Sequence, residues 1–186
     1  MIFLIILAIL IIYLVMTYNS LIATKNNVAK AWANIDVLLK QRHDELPKLI
    51  DTCKQYMQHE QVTLEKVIQA RMGVNVARES HDVAALSSAE SALRGSLGGL
   101  FAVAENYPDL KANETFLNLQ SRITSLENQI ADRREFYNDS VNINNVRIQQ
   151  FPDLIVARMF NFDEHAFLRF ASAELKDVDV NARFKA

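Results

Sequence analysis

The first sixteen residues form an uninterrupted apolar run, Met1–Met16, in which the Tyr13 hydroxyl is the only polar side-chain group. The first charged side chain is Lys25. A helix over residues 1–23 would be about 34 Å long, enough to cross a hydrocarbon layer of about 30 Å. A cleaved signal peptide would carry Lys or Arg before the run and small residues at a cleavage site, and this sequence has neither pattern. We therefore predict a retained transmembrane anchor at residues 1–23.

The basic residues near the anchor all follow it: Lys25, Lys30, Lys40 and Arg42. Because basic residues next to a span usually stay on the cytoplasmic side, we expect the N-terminus outside and the remaining chain in the cytoplasm. The net charge of −2 gives no indication of nucleic-acid binding. The single cysteine, Cys53, excludes an internal disulfide framework.

Beyond the anchor, apolar residues recur at alternating spacings of three and four, which is typical of coiled-coil-like helices that pack along a narrow stripe. With four Gly and three Pro, the chain has little turn chemistry for a β-rich fold. The first stripe comprises Val28, Trp32, Ile35, Leu39, Arg42, Leu46, Leu49, Cys53, Tyr56, Glu60, Leu64, Val67 and Arg71. The second comprises Val83, Leu86, Glu90, Leu93, Leu97, Leu100 and Ala104, and the third Phe116, Leu119, Ile123, Leu126, Ile130, Arg134, Tyr137, Val141, Asn144, Ile148 and Phe151.

The helix-breaking residues predict where these helices end. Pro47 predicts a kink or short break near residues 44–47, and the chain turns somewhere within 72–82, with Asp82 capping the second helix. The second helix ends near Pro108, and the third runs from about residue 113 to 150. Residues 153–170 then give a fourth, aromatic-rich amphipathic segment. We predict an all-α fold in which an N-terminal transmembrane helix is continuous with a long antiparallel up-down helical bundle.

This organisation predicts three parts of the chain: a transmembrane anchor at 1–23, a helical bundle at 24–170 and a polar C-terminal tail at 171–186. The second helix is surrounded by unusually small residues, which would let neighbouring helices approach closely. They are Ala84, Ala85, Ser87, Ser88, Ala89, Ser91, Ala92, Gly95, Ser96, Gly98 and Gly99.

Charged and amide side chains at or beside the stripes are the main candidates for chemistry: Arg42, Glu60, Arg71, Glu90, Glu105, Glu127, Arg134 and Asn144. They could form a polar pocket, but buried charges need partners, so we expect Arg–Glu layers that fix the register of the helices. None of the four histidines follows a Glu by three residues, as di-iron bundles require. No nucleotide-binding, zinc-protease or serine-nucleophile motif occurs. The sequence predicts no catalytic, cofactor-binding or metal site and a protein that is not an enzyme.

The aromatic cluster near the C-terminus comprises Phe151, Phe160, Phe162, Phe167 and Phe170. It could dock on the bundle or dip into the membrane. A membrane-lying helix favours Lys and Arg along its polar face, and the two arginines of this segment are offset by three acidic residues. We therefore expect docking on the bundle.

As a set, the residues of several segments resemble the LemA family over nearly the whole chain. These are Tyr18–Leu21, Trp32–Arg42, Leu46–Leu49, His59-Glu60, Ala104–Asn113, Leu126–Ala131, Arg134, Tyr137-Asn138, Val141, Asn144 and Phe151-Pro152. The chain departs from the pattern at Ile143, where an aromatic residue is expected, and in lacking a proline near Val178.

The resemblance implies a bacterial single-span membrane protein whose remaining part is a bundle of long antiparallel helices with no agreed biochemical activity. Some relatives are associated with making membrane vesicles in magnetosome-forming bacteria, and others are encoded beside a membrane zinc protease. We expect a scaffold in the inner (cytoplasmic) membrane that self-associates and organises the bilayer or membrane-protein partners, without nucleic acid or a small-molecule substrate. The alternative is a monomeric or small-oligomer adaptor that regulates a membrane protease or transporter.

Overall fold

The computed structural model describes residues 1–169, and this part of the chain contains helices but no strand. The helices are α1 (Ile2–Tyr56), α2 (Gln61–Glu79), α3 (Val83–Ala104), α4 (Pro108–Lys111), α5 (Glu114–Gln149) and α6 (Asp153–Met159). The all-α prediction is confirmed, and α1 continues without interruption from the predicted anchor into the bundle. The predicted tail at 171–186 and Phe170 lie outside the described residues.

The described chain divides into two compact units. Unit 1 comprises Met1–Leu49 and Leu117–Phe167, and unit 2 comprises Ile50–Phe116 together with residues 168–169 of the described part. Both α1 and α5 cross a boundary between the units, so each contributes residues to both.

In unit 1, α1 and α5 run antiparallel with a constant register. The Trp32 and Tyr137 rings lie 5.7 Å apart between centroids, and ten residues further along each helix Arg42 Nη1 lies 3.9 Å from Glu127 Oε1. In the other direction, eleven residues along each helix, Leu21 and Ile148 belong to one buried cluster. This register holds the predicted stripes against each other.

The predicted stripe positions are largely buried. Buried members include Val28, Ile35, Leu39, Arg42, Leu46, Leu49, Cys53, Leu64 and Val67 of the first stripe, six of the seven in the second, and all of the third except Arg134 and Phe151. Phe151 is 80% exposed, so its placement in the third stripe was wrong. It follows the end of α5, and the helical spacing that would turn it inward no longer applies there.

The fourth segment is helical for seven residues only, and residues 160–169 continue without helix. Val156 and Ala157 of α6 are buried with Leu21, while Leu14, Tyr18 and Phe162 pack against this cluster. The Phe160 and Phe162 rings contact the Tyr18 ring at centroid distances of 4.7 and 6.0 Å. Phe162 docks on the bundle as expected of the aromatic cluster, and Phe160 contacts Tyr18 while staying 50% exposed.

The large apolar side chains of residues 1–13 are 40–98% exposed. No part of the described chain covers them, so they do not form the core of a helical bundle. The helix that carries them is long and apolar enough to cross a membrane. This exposure is what a lipid-facing helix requires.

In unit 2, α2 and α3 pack together as a helical hairpin. Asp82 caps α3, accepting a hydrogen bond from the Ala85 N–H at 2.9 Å, and His81 closes the turn with a left-handed φ of 55°. The chain turns at residues 80–82, within the predicted range of 72–82, and residues 72–79 belong to α2. Gly73 lies in mid-helix without a steric requirement for glycine, since a Cβ at that position would make an ordinary contact with the Ala89 Cβ at 3.9 Å.

The interruption in the first predicted helix lies at residues 57–60 and not near Pro47. Pro47 sits inside α1, between the fully buried Leu46 and Leu49. A proline removes one helical hydrogen bond, and the burial of its flanking side chains offsets that loss. The helix instead ends at Tyr56, and α2 begins at Gln61.

Candidate functional site

Two long-range hydrogen bonds hold the interruption between α1 and α2. The Tyr107 hydroxyl donates to Glu60 Oε1 at 3.3 Å, and the Asn113 side-chain amide donates to the Tyr56 hydroxyl at 3.0 Å. Asn113 also caps α5, accepting from the Phe116 N–H at 3.0 Å. Desolvation first, and then the Glu60 carboxylate, raise the pKa of Tyr107. With the phenol held neutral as a hydrogen-bond donor, this cluster has a structural role. We call its four members the clasp residues: Tyr56, Glu60, Tyr107 and Asn113.

The charged stripe residues of unit 1 form cross-helix pairs. Arg42, which is 1% exposed, faces Glu127, and Arg122 Nε lies 3.1 Å from Glu45 Oε1. Both pairs join α1 to α5 and fit the register-fixing layers expected from the sequence. Arg122 was not among the predicted residues, because it lies off the stripe and reaches its partner through a long side chain that is mostly exposed.

The stripe residues of unit 2 are dispersed. Glu90 is buried on α3, whereas Glu105 is exposed and pairs with Lys111. Glu60 and Arg71, eleven residues apart near and within α2, are separated by about 16 Å along a helix. Glu60 and Arg71 therefore do not converge on one site, whereas Glu105 lies two residues from Tyr107, the hydrogen-bond partner of Glu60. Among the described residues, no group of three or more His, Cys, Asp and Glu side chains could hold a metal ion.

Tyr137 of the third stripe and Asn145 bind the segment after α6, whereas the buried stripe residue Asn144 donates to Asn145 Oδ1 at 3.3 Å. The Tyr137 hydroxyl donates to the Ala166 carbonyl at 3.0 Å, and Asn145 both donates to the His165 carbonyl at 2.8 Å and accepts from the His165 N–H at 2.9 Å. Burial is the main cause that lowers the pKa of His165, and the nearby Lys25 adds to it. Burial also raises the pKa of Tyr137. These contacts fasten an irregular segment to α5.

Unit 2 has an open groove between α2 and α3, with a volume of about 720 Å³. We call it the α2–α3 groove. Its lining is mostly small or aliphatic: Gln61, Val62, Glu65, Lys66, Gln69, Ala70, Gly73, Ala89, Ala92 and Ser96. Val62 is 70% exposed at its edge.

The small residues of α3 stay open to solvent. A Cβ built at Gly95, Gly98 or Gly99 would have no neighbour within 4 Å, and Ala92 is exposed. These residues were predicted from the sequence as a surface on which neighbouring helices can approach closely. The prediction missed the α2 wall of the groove, because α2 was assigned to the end of the first helix. The spacing of Gly73 from Ala70 and Gln69 was the signal for that wall.

Comparison with known proteins gives the context for this arrangement. Residues 31–182 match the LemA family. The chain is 29% identical over 164 residues to Protein LemA of Metamycoplasma hominis, covering 88% of this chain and 74% of that protein. It is 34% identical over 68 residues to Magnetosome protein MamQ 2 of Paramagnetospirillum magneticum, and 32% to Magnetosome protein MamQ of Magnetospirillum gryphiswaldense. Each of these two matches covers 37% of this chain and 25% of the relative.

The family match covers most of the chain, including the clasp residues, the α1–α5 register and the α2–α3 hairpin. The long exposed apolar helix and the similarity to these proteins together indicate a membrane-associated protein. From the match and the helical architecture together, the chain belongs to the LemA family.

Proposed function

We propose that this protein is a non-enzymatic, single-pass membrane scaffold that self-associates through the α2–α3 groove. The observation that carries the proposal is an open groove of small residues in a chain that also carries a membrane anchor. Because small residues have short side chains, another helix can approach the backbone closely and gain dispersion contacts along its length. Filling this groove from outside the chain would bury Val62 and Ala92 together.

The charges at the groove favour a second copy of the same chain as its occupant. Glu65 and Lys66 are adjacent, exposed residues of its lining, and they carry opposite charges. In a two-fold symmetric contact each residue of one copy meets the reciprocal residue of the other. Lys66 of each copy can then face Glu65 of the other, so the groove is complementary to itself in charge.

The anchor supports the same proposal because it raises the effective concentration of the bundles. Proteins confined to one bilayer meet at high effective concentration, so a modest interface is enough to hold them together. Because α1 runs unbroken from the span into the bundle, contacts between bundles would set the spacing of the anchors. We place the N-terminus outside and the bundle in the cytoplasm of a bacterial inner membrane, on the basis of Lys25 and the basic residues after it.

The proposal of a non-enzyme rests on what the polar groups do. Glu127 faces Arg42, and Glu105 pairs with Lys111. Glu60 accepts a hydrogen bond from the Tyr107 hydroxyl. Each of these carboxylates has a partner within the fold. A general acid or base needs access to a substrate at hydrogen-bond distance, and these residues are engaged in holding helices.

The test is the mass of the full-length protein in lipid nanodiscs or mild detergent, measured by mass photometry. We expect dimers or larger assemblies for the native sequence. Ala92→Leu and Ser96→Leu, which fill the groove without entering the core, should shift the population to monomers. Ala102→Leu is the matched control, because Ala102 is an exposed alanine of α3 that does not line the groove.

A native protein that is strictly monomeric over the accessible concentrations would contradict self-association. A loss of assembly in Ala102→Leu equal to that in Ala92→Leu would assign assembly to another surface. Circular dichroism of all variants shows whether the helical content is retained. A stoichiometric second protein co-purifying with a monomer would instead support the adaptor alternative.

A further inference from the structure

The C-terminal end of unit 1 carries an exposed apolar face, made of Phe151, Ile155, Met159 and Phe160. They are 80%, 57%, 59% and 50% exposed, respectively. Ile155 and Met159 are four residues apart and share one side of α6, and Phe151 is exposed in the turn that precedes this helix. The opposite side carries Val156 and Ala157, which are buried against α1. We call the exposed side the α6 face.

The register of unit 1 fixes the level of this face along α1. Ile148 of α5 is level with Leu21, and α1 and α5 run in opposite directions. Val156 and Ala157 belong to the same buried cluster, and Leu14 and Tyr18 pack against it, so α6 lies beside residues 14–21 of α1. The Phe160 ring, 4.7 Å from the Tyr18 ring, independently places the other end of the face at the same level.

This level is the membrane boundary of the anchor. Met16, 67% exposed, is the last large apolar side chain of the exposed run, and Lys25 is the first charged residue after it. Tyr18 lies between them, about 10 Å before Lys25 along the helix. A bilayer has about 5 to 8 Å of headgroup layer on each side of its hydrocarbon core, and Tyr is enriched in that layer. The α6 face therefore meets the zone where acyl chains give way to headgroups.

The charges around this face nearly cancel. Residues 147–169 carry three arginines and three acidic residues: Arg147, Arg158, Arg169, Asp153, Asp163 and Glu164. Lys25 of α1 adds one further positive charge. Arg147 Nε and Asp153 Oδ2 pair at 2.9 Å, and Glu164 accepts from the Gln149 amide at 2.6 Å. Apolar contact, and not attraction to anionic lipid, is the interaction that this face offers.

We propose that the α6 face is a second membrane-binding surface, seated in the headgroup–acyl boundary of the leaflet from which the bundle emerges. Its occupant is the lipid bilayer, because the face is continuous with the lipid-facing surface of the anchor. The sequence analysis treated docking and membrane contact as alternatives for the aromatic cluster. In the fold Phe162 docks, whereas Phe151 faces outward, so one segment does both. Two contacts would hold the bundle at a fixed tilt on the membrane, whether or not copies self-associate.

The test is a depth measurement on the full-length protein in phosphatidylcholine vesicles. Ile155→Cys, in a Cys53→Ala background checked by circular dichroism, is labelled with a nitroxide or a small fluorophore. Ile143→Cys is the matched control, since Ile143 is 58% exposed on α5 and is level with the residue after Lys25. Leu117→Cys, at the far end of α5 and 47% exposed, serves as the aqueous reference.

We expect the label at position 155 to be quenched severalfold more strongly by probes on lipid acyl chains than the label at 143, and severalfold less by a water-soluble quencher. The result should not change when anionic lipid is added. Equal water accessibility at 155, 143 and 117 would overturn the proposal. Protection of 155 from both lipid and aqueous probes would also overturn it, by assigning the face to a protein partner or a second copy.

Discussion

Replacing the glycines of α3 by alanine should stabilise the bundle. Gly95, Gly98 and Gly99 lie within Val83–Ala104, and none has a positive φ that an alanine could not adopt. A Cβ at each would meet no atom within 4 Å, so the substitution adds no clash. In the interior of a helix, glycine costs about 0.5 to 1 kcal/mol relative to alanine, mainly through backbone entropy.

The three substitutions together should therefore raise the free energy of unfolding by about 1.5 to 3 kcal/mol, if they add independently. For a chain of this size that corresponds to an increase in Tm of roughly 3 to 12 °C. The assay is urea or thermal unfolding of the full-length protein in mild detergent, followed by far-ultraviolet circular dichroism. Ala102→Gly on the same helix should give the opposite sign, with a loss of about 1 kcal/mol.

A fall in stability for any single Gly→Ala variant would refute the reasoning, because it would mean that the glycine is packed within the chain. An unchanged Tm in all three would show that α3 is not helical at this face under the assay conditions. A rise in Tm would mean that these glycines destabilise the isolated chain. Glycine at these positions would then be explained by close contact with another molecule, as the scaffold proposal requires.

Three other predictions test the packing around named residues. Burial raises the pKa of Cys53 from 9.0 to about 11. At pH 8 its thiolate fraction, and with it the rate of reaction with a disulfide reagent, should therefore be about 100-fold lower than for a free thiol. Reaction of the folded protein at the free-thiol rate would contradict the burial of Cys53 in the first stripe. The lowered pKa of His165 means that the unfolded chain takes up its proton first, so stability should fall as pH decreases below about 6.5. This part of the pH dependence should be absent in His165→Asn, and an equal slope in both proteins would show that other groups cause it. Arg42→Met should cost about 2 to 3 kcal/mol in urea unfolding, since it removes one member of a pair that is mostly buried. Arg42→Met with Glu127→Leu should cost less than Arg42→Met alone, and a larger cost would contradict a structural role of the pair.

The periodicity of the sequence was sufficient to predict the helices and most of their buried sides. The stripe from Val28 to Val67 and that from Leu86 to Ala104 are largely buried because a three-four spacing can only be satisfied on one side of a helix. The apolar run likewise predicted the exposed part of α1. These are local properties, set by residues a few positions apart.

The interruption at residues 57–60 could not be predicted in the same way. No Gly or Pro marks it, and its flanking residues, Tyr56 and Glu60, are held by Asn113 and Tyr107, about fifty positions away. The helix does not break at Pro47, because propensity describes an isolated helix, whereas α1 is buried on both sides of the proline. Long-range packing decided both positions.

The α2–α3 groove and the α6 face were predicted only in part for the same reason. The composition of α3 indicated close approach by another helix, but the open side depends on where α2 lies. The aromatic cluster was expected to dock as a whole. The end of α5 at Gln149 instead changes the direction of the chain, which leaves Phe151 outward and brings Phe162 inward.

Crosslinking in native membranes tests the central claim most directly. Ser96→Cys, in a Cys53→Ala background, is treated with a short bis-maleimide in membranes of cells that express the full-length protein. Self-association through the α2–α3 groove predicts a homodimer at Ser96→Cys, and little or none at the exposed control Ala102→Cys. Recovery of monomers alone at both positions, or of a different protein as the main crosslinked product, would contradict the account.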